Sequence, residues 1–194
     1  MSDKSAVRYT HVAMGKWTQG PFALGSSSGQ ALGIELSQLV YGSRGPHVVG
    51  LCMAGIEAID GPFMEQALYG LIHNVAEGSA IFIRGITSND VERSCDLIAK
   101  GLERYLIIES DSGLRIAGLA VRPVDEPLIE ALYEKKLSSA KEIADAYKMS
   151  LPNASIKLKN LVAKGLALRV EKTASSGGYE YRYFPIRTPD GYQP

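Results

Sequence analysis

Three short apolar runs, separated by amphipathic stretches of helix length, constrain this chain more than any other feature. They are HVVGLCMAG (47–55), AIFIRGI (80–86) and YLIIES (105–110). The first lacks polar alternation, as expected of a strand covered on both faces. Between the first two runs, Pro62 opens a helix extending to about Ala76, with Phe63, Ala67, Leu68, Leu71 and Ile72 on one side. Between the second and third, Ser88 or Asn89 caps a helix whose inner side is Val91, Cys95, Ile98, Ala99 and Leu102. Crossovers of this length favour neighbouring parallel strands joined right-handedly. Upstream, VRYTHVA (7–13) and FALG (22–25) read as short strands. SSSGQALGIELSQLVYG reads as a serine-capped helix, with Ala31, Ile34, Leu39 and neighbouring leucines at helical spacing. LRIAGLAV supplies a last strand. The expected fold class is α/β, a small mixed-sheet domain over residues 1–121.

A different pattern begins at VRPVDEP (121–127), where Pro123 and Pro127 bracket a join. Helices are expected over about 125–136 (Leu128, Ile129 and Leu132 inward), over about 139–147 (Ile143, Ala144 and Tyr147 inward), and from Pro152 onward. ALRVEKTA and YEYRYFPI then form a hairpin around SSGG. This defines a second domain, 122–187, followed by a flexible tail, 188–194.

The third helix, LPNASIKLKNLVAKGL (151–166), carries the functional signal. At 3.6 residues per turn, Ala154, Leu158, Leu161 and Val162 share one side, and Gly165 supplies a left-handed cap. Asn153, Ile156, Lys157, Lys159 and Asn160 face away, with no carboxylate among them. From Lys148 to Arg187 there are eight cations (Lys148, Lys157, Lys159, Lys164, Arg169, Lys172, Arg182, Arg187) against Glu171 and Glu180. That local excess of six sits in a chain of zero formal charge, so the remainder carries minus six. Polarisation of this kind matches a domain that meets phosphates.

KEIADAYKMSLPNASIKLKNLVAKGLALRVE resembles the winged helix-turn-helix domains of bacterial transcriptional regulators: a small helix, a turn, a recognition helix ending L-x-x-L-V-x-K-G-L, then a wing. The resemblance covers 125–186. It implies a helix in the major groove and a wing, near 173–178, along the backbone or minor groove. Asn153, Lys157 and Asn160 are then candidates for base edges, and Ser155, Lys159, Lys172 and Arg182 for phosphates. The implied partner is double-stranded DNA, read by a homodimer. The alternative is a non-enzymatic adaptor whose winged helix docks a protein.

GLCMAGIEAIDGPFMEQALYGLIHN (50–74), with its strand, G-I-E-A-I-D and helix, resembles the STAS fold of anti-sigma-factor antagonists. That likeness spans roughly 20–120 and implies an association or sensing domain with a possible protein partner. Antagonists of that family are phosphorylated on a hydroxyl beside the aspartate at the helix start. Here Asp60 is followed by Gly61, Pro62 and Phe63, so no such switch is expected, and Asp60 reads as a helix cap or polar contact.

Gly25-Ser26-Ser27-Ser28-Gly29 matches G-x-S-x-G, with Asp60 and His73 following in hydrolase order. The α/β region is short for a hydrolase, and consecutive serines suit a cap, so no enzyme activity is assigned. Ser27, Ser28, Asp60 and Gly61 remain as a possible ligand or partner site at helix starts. His11, His47 and His73 lack metal-ligand spacing, and Cys52 and Cys95 stand apart, so no metal or cofactor is expected. Trp17, Tyr179, Tyr181 and Tyr183 suggest either a stacking surface or hairpin packing. No run approaches a membrane span, and the first residues lack a signal-peptide core, so a cytoplasmic protein without a membrane partner is expected.

Overall fold

The structure is a computed structural model that describes residues 7–42, 45–74, 78–110, 113–173 and 177–190, with the side chains of 69–74 excepted. The chain is mixed α/β. Its first part runs β1 (Arg8–Ala13), a single 3-10 turn (Met14–Trp17), β2 (Phe22–Ala23), α1 (Ser26–Tyr41), β3 (His47–Cys52), β4 (Ala58–Ile59) and α2 (Gly61–Asn74). It continues through β5 (Ser79–Arg84), α3 (Asn89–Gly101), β6 (Tyr105–Ser110) and β7 (Gly113–Gly118). The central sheet has the order β1-β3-β5-β6-β7; the first four strands are parallel and β7 runs antiparallel to β6. The FALG strand is shorter than expected. As β2 it pairs with β4 in a separate two-stranded sheet.

From β1 to β6 the chain always steps across the sheet in one direction. Right-handed crossovers then place every connecting helix on the same face. One core cluster joins Leu32 and Leu36 of α1, Phe63 and Met64 of α2, and Val91 and Cys95 of α3 to Val49, Leu51, Ile83 and Ile108 of the sheet. Side chains of the opposite parity, Val48, Phe82 and Ile107, point the other way.

That second face is covered by the rest of the chain: α4 (Glu126–Tyr133), α5 (Ala140–Ala146), α6 (Leu151–Ala163), β8 (Leu168–Thr173) and β9 (Tyr179–Phe184). Leu128, Leu132, Ile143, Leu158, Leu168 and Tyr183 form one cluster with Val48, Phe82 and Ile107. β3 is therefore buried on both sides, as its run of apolar residues required. The two sequence patterns share a core. The buried Tyr133 hydroxyl stitches the later part together, donating to the Leu166 carbonyl (3.1 Å) and accepting from Ile186 N (3.1 Å). Two residues of the expected tail make contacts with the rest of the chain, and 191–194 lie outside the described residues. Thr188 donates its N–H (3.2 Å) and hydroxyl to the Glu109 carboxylate on β6, and Asp190 pairs with Lys136 (2.8 Å) and Arg187 (3.0 Å).

The inner face of α1 is Gly29, Leu32, Leu36 and Val40; Ala31 and Ile34 are exposed, and Leu39 is partly buried against the core. The reason lies in the glycines. A Cβ on Gly29 would stand 2.2 Å from the Phe63 carbonyl oxygen, and one on Gly33 would stand 2.5 Å from that of Gln66. The backbones of α1 and α2 approach closely along GQALG, and that contact fixes the rotation of α1. On α2, Phe63, Ala67 and Leu68 are buried as expected, joined by Met64, while Leu71 and Ile72 lie outside the described side chains.

Candidate nucleic-acid interface

α6 is built by local signals. Ser150 caps it, accepting from Asn153 N (3.4 Å); Pro152 sits in its first turn; Gly165 follows it at φ 71°. Ahead of it, Ser139 and Glu142 form a reciprocal capping box that starts α5. Ala154, Leu158 and Leu161 fill the core. The opposite face is open to solvent: Asn153, Ile156, Lys159 and Asn160 are exposed, and Lys157 is half-buried. Lys148, Lys157, Lys159 and Lys172 enter no ion pair among the described residues.

Three other cations of this region are already compensated. Lys164 pairs with the buried Asp125. Arg187 pairs with Asp190. Arg182 donates to Glu180 (3.0 Å), Glu142 (3.4 Å) and the Ser138 hydroxyl (3.1 Å), which locks β9 to the start of α5. The Glu142 carboxyl is held below its ordinary value mainly by the Ser138 backbone N–H, with Ser139 and Arg182 adding to the effect. Ser155 is half-buried on α6, between the core side and the outward face. Arg182 thus helps to hold the unit together. On the hairpin, Lys172 is half-buried opposite Glu180, Arg169 lies over the Tyr181 ring at 4.5 Å, and Tyr179 is exposed. Residues 174–176 of the hairpin tip lie outside the described residues. Trp17 packs in the first core cluster, so it forms no common stacking surface with the hairpin tyrosines.

The second group of expected residues converges at the paired starts of α1 and α2. Asp60 accepts from Phe63 N (2.7 Å) through one carboxylate oxygen and from Gly25 N (2.9 Å) through the other. It caps α2 and ties down the residue that precedes α1. A carboxylate therefore already occupies the anion position at the start of α2. Ser27 is exposed and Ser28 half-buried in the first turn of α1, beside Asp60 and Gly61. The strand before Gly25 belongs to the small β2–β4 sheet, which separates the G-x-S-x-G stretch from the central sheet. His73 lies outside the described side chains. The cysteines are free thiols, and burial pushes that of Cys95 up to about 12. No group of three or more His, Cys, Asp or Glu among the described residues is placed to hold a metal, and no described helix is long and apolar enough to cross a membrane.

Two features emerge only with strand register. Cys52, Arg84 and Glu109 stand in one lateral row near the carboxyl ends of β3, β5 and β6, with His11 one pleat lower on β1. Tyr9 crosses Gly50 to accept from Arg84 Nη1 (3.3 Å), and His11 Nδ1 is buried without a hydrogen-bond partner. Each of these is the polar residue near the end of an apolar run, a sequence signal that gains meaning only once the runs are aligned. The second feature is a cleft where the α6–β8 turn meets the amino ends of β5 and β6. It brings Arg104 and Arg122 to the same space as Lys159, Lys164 and Arg169. No family model matches the chain, and no curated protein is significantly similar to it.

Proposed function

We propose that the chain is a DNA-binding transcriptional regulator whose last three helices and hairpin form a winged helix-turn-helix unit, with a STAS-like unit for association or sensing before it. The observation that carries this reading is the outward face of α6. Asn153, Lys159 and Asn160 are exposed and Lys157 is half-exposed, with no carboxylate on that face and no ion pair to spend the lysines. Amides at 153 and 160 suit adenine edges, and lysines suit phosphates or guanine. Lys172 on β8 adds a backbone contact from the wing. Ser155 and Arg182 complete the expected phosphate contacts, Arg182 while also bound to Glu180 and Glu142. A homodimer would place two such helices about one DNA turn apart, roughly 34 Å.

One observation favours a second reading, an adaptor that docks a protein. Leu151 and Ile156 are 53% and 58% exposed on the same helix. Thymine methyl groups can also meet such side chains, so the test is binding. Affinity for random duplex DNA, measured by fluorescence anisotropy across a salt series, should fall steeply as salt rises. Lys157→Ala with Lys159→Ala should make the log–log slope shallower by about 0.9 for each phosphate that the protein no longer neutralises. Absence of binding at low salt would favour the adaptor.

A further inference from the structure

A groove of about 530 Å³ lies between β7 and α4, on the second face of the sheet. Strand register builds its floor. Leu114 and Ile116 of β7 stand opposite Glu109 and Ile107 of β6, so they share the face on which Ile107 meets the later helices. Ile107, Leu114 and Ile116 line the groove from the sheet, and Ile129 and Tyr133 close it from α4. Leu114 stays exposed there, an apolar side chain that no neighbour covers fully.

The rim above that floor is charged. Glu126, Glu130 and Glu134 follow at intervals of four residues along α4 and its C-cap, and all three line the groove. Each interval is a rise of about 6 Å along one side of the helix. Glu126 and Glu134 enter no ion pair among the described residues. Glu130 pairs with Lys135 at 2.9 Å, but both side chains are about half exposed, and pairs of that kind are weak and exchange readily. Like charges at this spacing repel one another, and a carboxylate at a helix C-terminus opposes the macrodipole. A bound cation relieves both. The lining cation, Arg187, is already held by Asp190 at 3.0 Å.

Ten residues line the groove, against roughly 20–30 a side in a stable protein–protein interface, while its volume falls within the range of small-molecule sites. The occupant that fits is small, carries more than one positive charge, and offers aliphatic surface between its charges. We propose that the groove binds a linear aliphatic polyamine, with its ammonium groups on Glu126, Glu130 and Glu134 and its methylenes against Ile107, Leu114 and Ile116. Nitrogens joined by three or four methylenes recur at a spacing close to that of the carboxylates. The groove shares no lining residue with α6, so the proposal stands whether or not that helix binds DNA.

The experiment is isothermal titration of the full chain, free of DNA and at low salt, with spermidine and, separately, with butylamine. Spermidine is expected to bind with sub-millimolar affinity, at least tenfold more tightly than butylamine, which engages one carboxylate at a time. Magnesium chloride at the concentration of spermidine should leave that affinity within twofold, because the ion offers nothing to the aliphatic floor. Glu126→Gln and Glu134→Gln, changes at exposed side chains, should each weaken spermidine at least fivefold, and Leu114→Ser at least threefold. Glu65→Gln, exposed on α2 across the sheet, should leave it unchanged. No measurable heat with spermidine at millimolar concentration, binding that survives both glutamate changes, equal affinity for butylamine, or displacement by magnesium would overturn the proposal. So would a dimer of the free chain, seen by light scattering, that dissociates on Glu126→Gln with Glu134→Gln, since a second copy would then fill the groove. Full affinity in Leu114→Ser would overturn the assignment of the aliphatic floor.

Discussion

Replacing Gly29 by alanine tests whether the close passage of α1 over α2 organises the first core. In an ordinary exposed helix interior this change stabilises by about 1 kcal/mol, because glycine has more freedom to lose. Here the new methyl would sit 2.2 Å from the Phe63 carbonyl oxygen and 2.8 Å from its carbonyl carbon. Both are backbone atoms in a helix, so relief requires one helix to move by roughly an ångström, against the packing of Leu32, Leu36, Phe63 and Met64. Overpacking of this kind costs about 1–3 kcal/mol. Separating the helices also strains the bond from Gly25 N to Asp60, which joins the same two helix starts. The net expectation is a loss of about 1–2 kcal/mol, or a fall in Tm of about 2–8 °C for a chain of this size. Gly101→Ala is the matched control. It lies at the end of α3 with nothing within 4 Å of a new Cβ, so its Tm should rise or hold. Calorimetric melts of the wild type and both variants decide the matter. A Gly29→Ala protein that melts at or above the wild type would refute the idea that backbone contact sets the rotation of α1.

Asp60→Ala strands two backbone N–H groups at once and should cost about 1–3 kcal/mol in denaturant melts, with Asp60→Asn losing less because one oxygen acceptor remains. The buried His47 donates from Nδ1 to the Leu39 carbonyl (3.1 Å), which leaves Nε2 to accept from the Thr10 hydroxyl (2.8 Å). Burial is the main reason its pKa lies below the ordinary 6.5, and the same holds for His11. As pH falls below 6.5 the unfolded chain takes up these protons first, so stability present at pH 7.5 should decline towards pH 5. His47→Gln should flatten that decline, and a urea midpoint that is constant over this range would contradict the buried neutral imidazoles.

The strands at 47–52, 79–84 and 105–110 were legible because burial on both faces demands unbroken apolar runs. Helix ends were legible at Ser88, Pro152 and Gly165, where capping chemistry is local. The rotation of α1 was not, because periodicity weighs apolar side chains and assigns nothing to Gly29 and Gly33, whose missing side chains decide the contact. Nor was the second face of the sheet. Val48, Phe82 and Ile107 read as strand residues in either arrangement, and only the one-directional strand order reveals that they need a cover from the C-terminal half. On the candidate surface, the outward side of α6 followed from helical geometry. The internal contacts of Arg182 depended on how β9 meets the start of α5, a long-range contact that no local spacing encodes.

The bare side of the sheet gives the chain a property that a beads-on-a-string arrangement lacks. Severing it within 121–127 would leave each fragment with an oily flank, so neither half is expected to survive as a detachable cassette. The seam beneath Phe82 also runs under the helices that carry the cationic surface. A change in the first half that loosens the seam therefore reaches the second without any hinge between them.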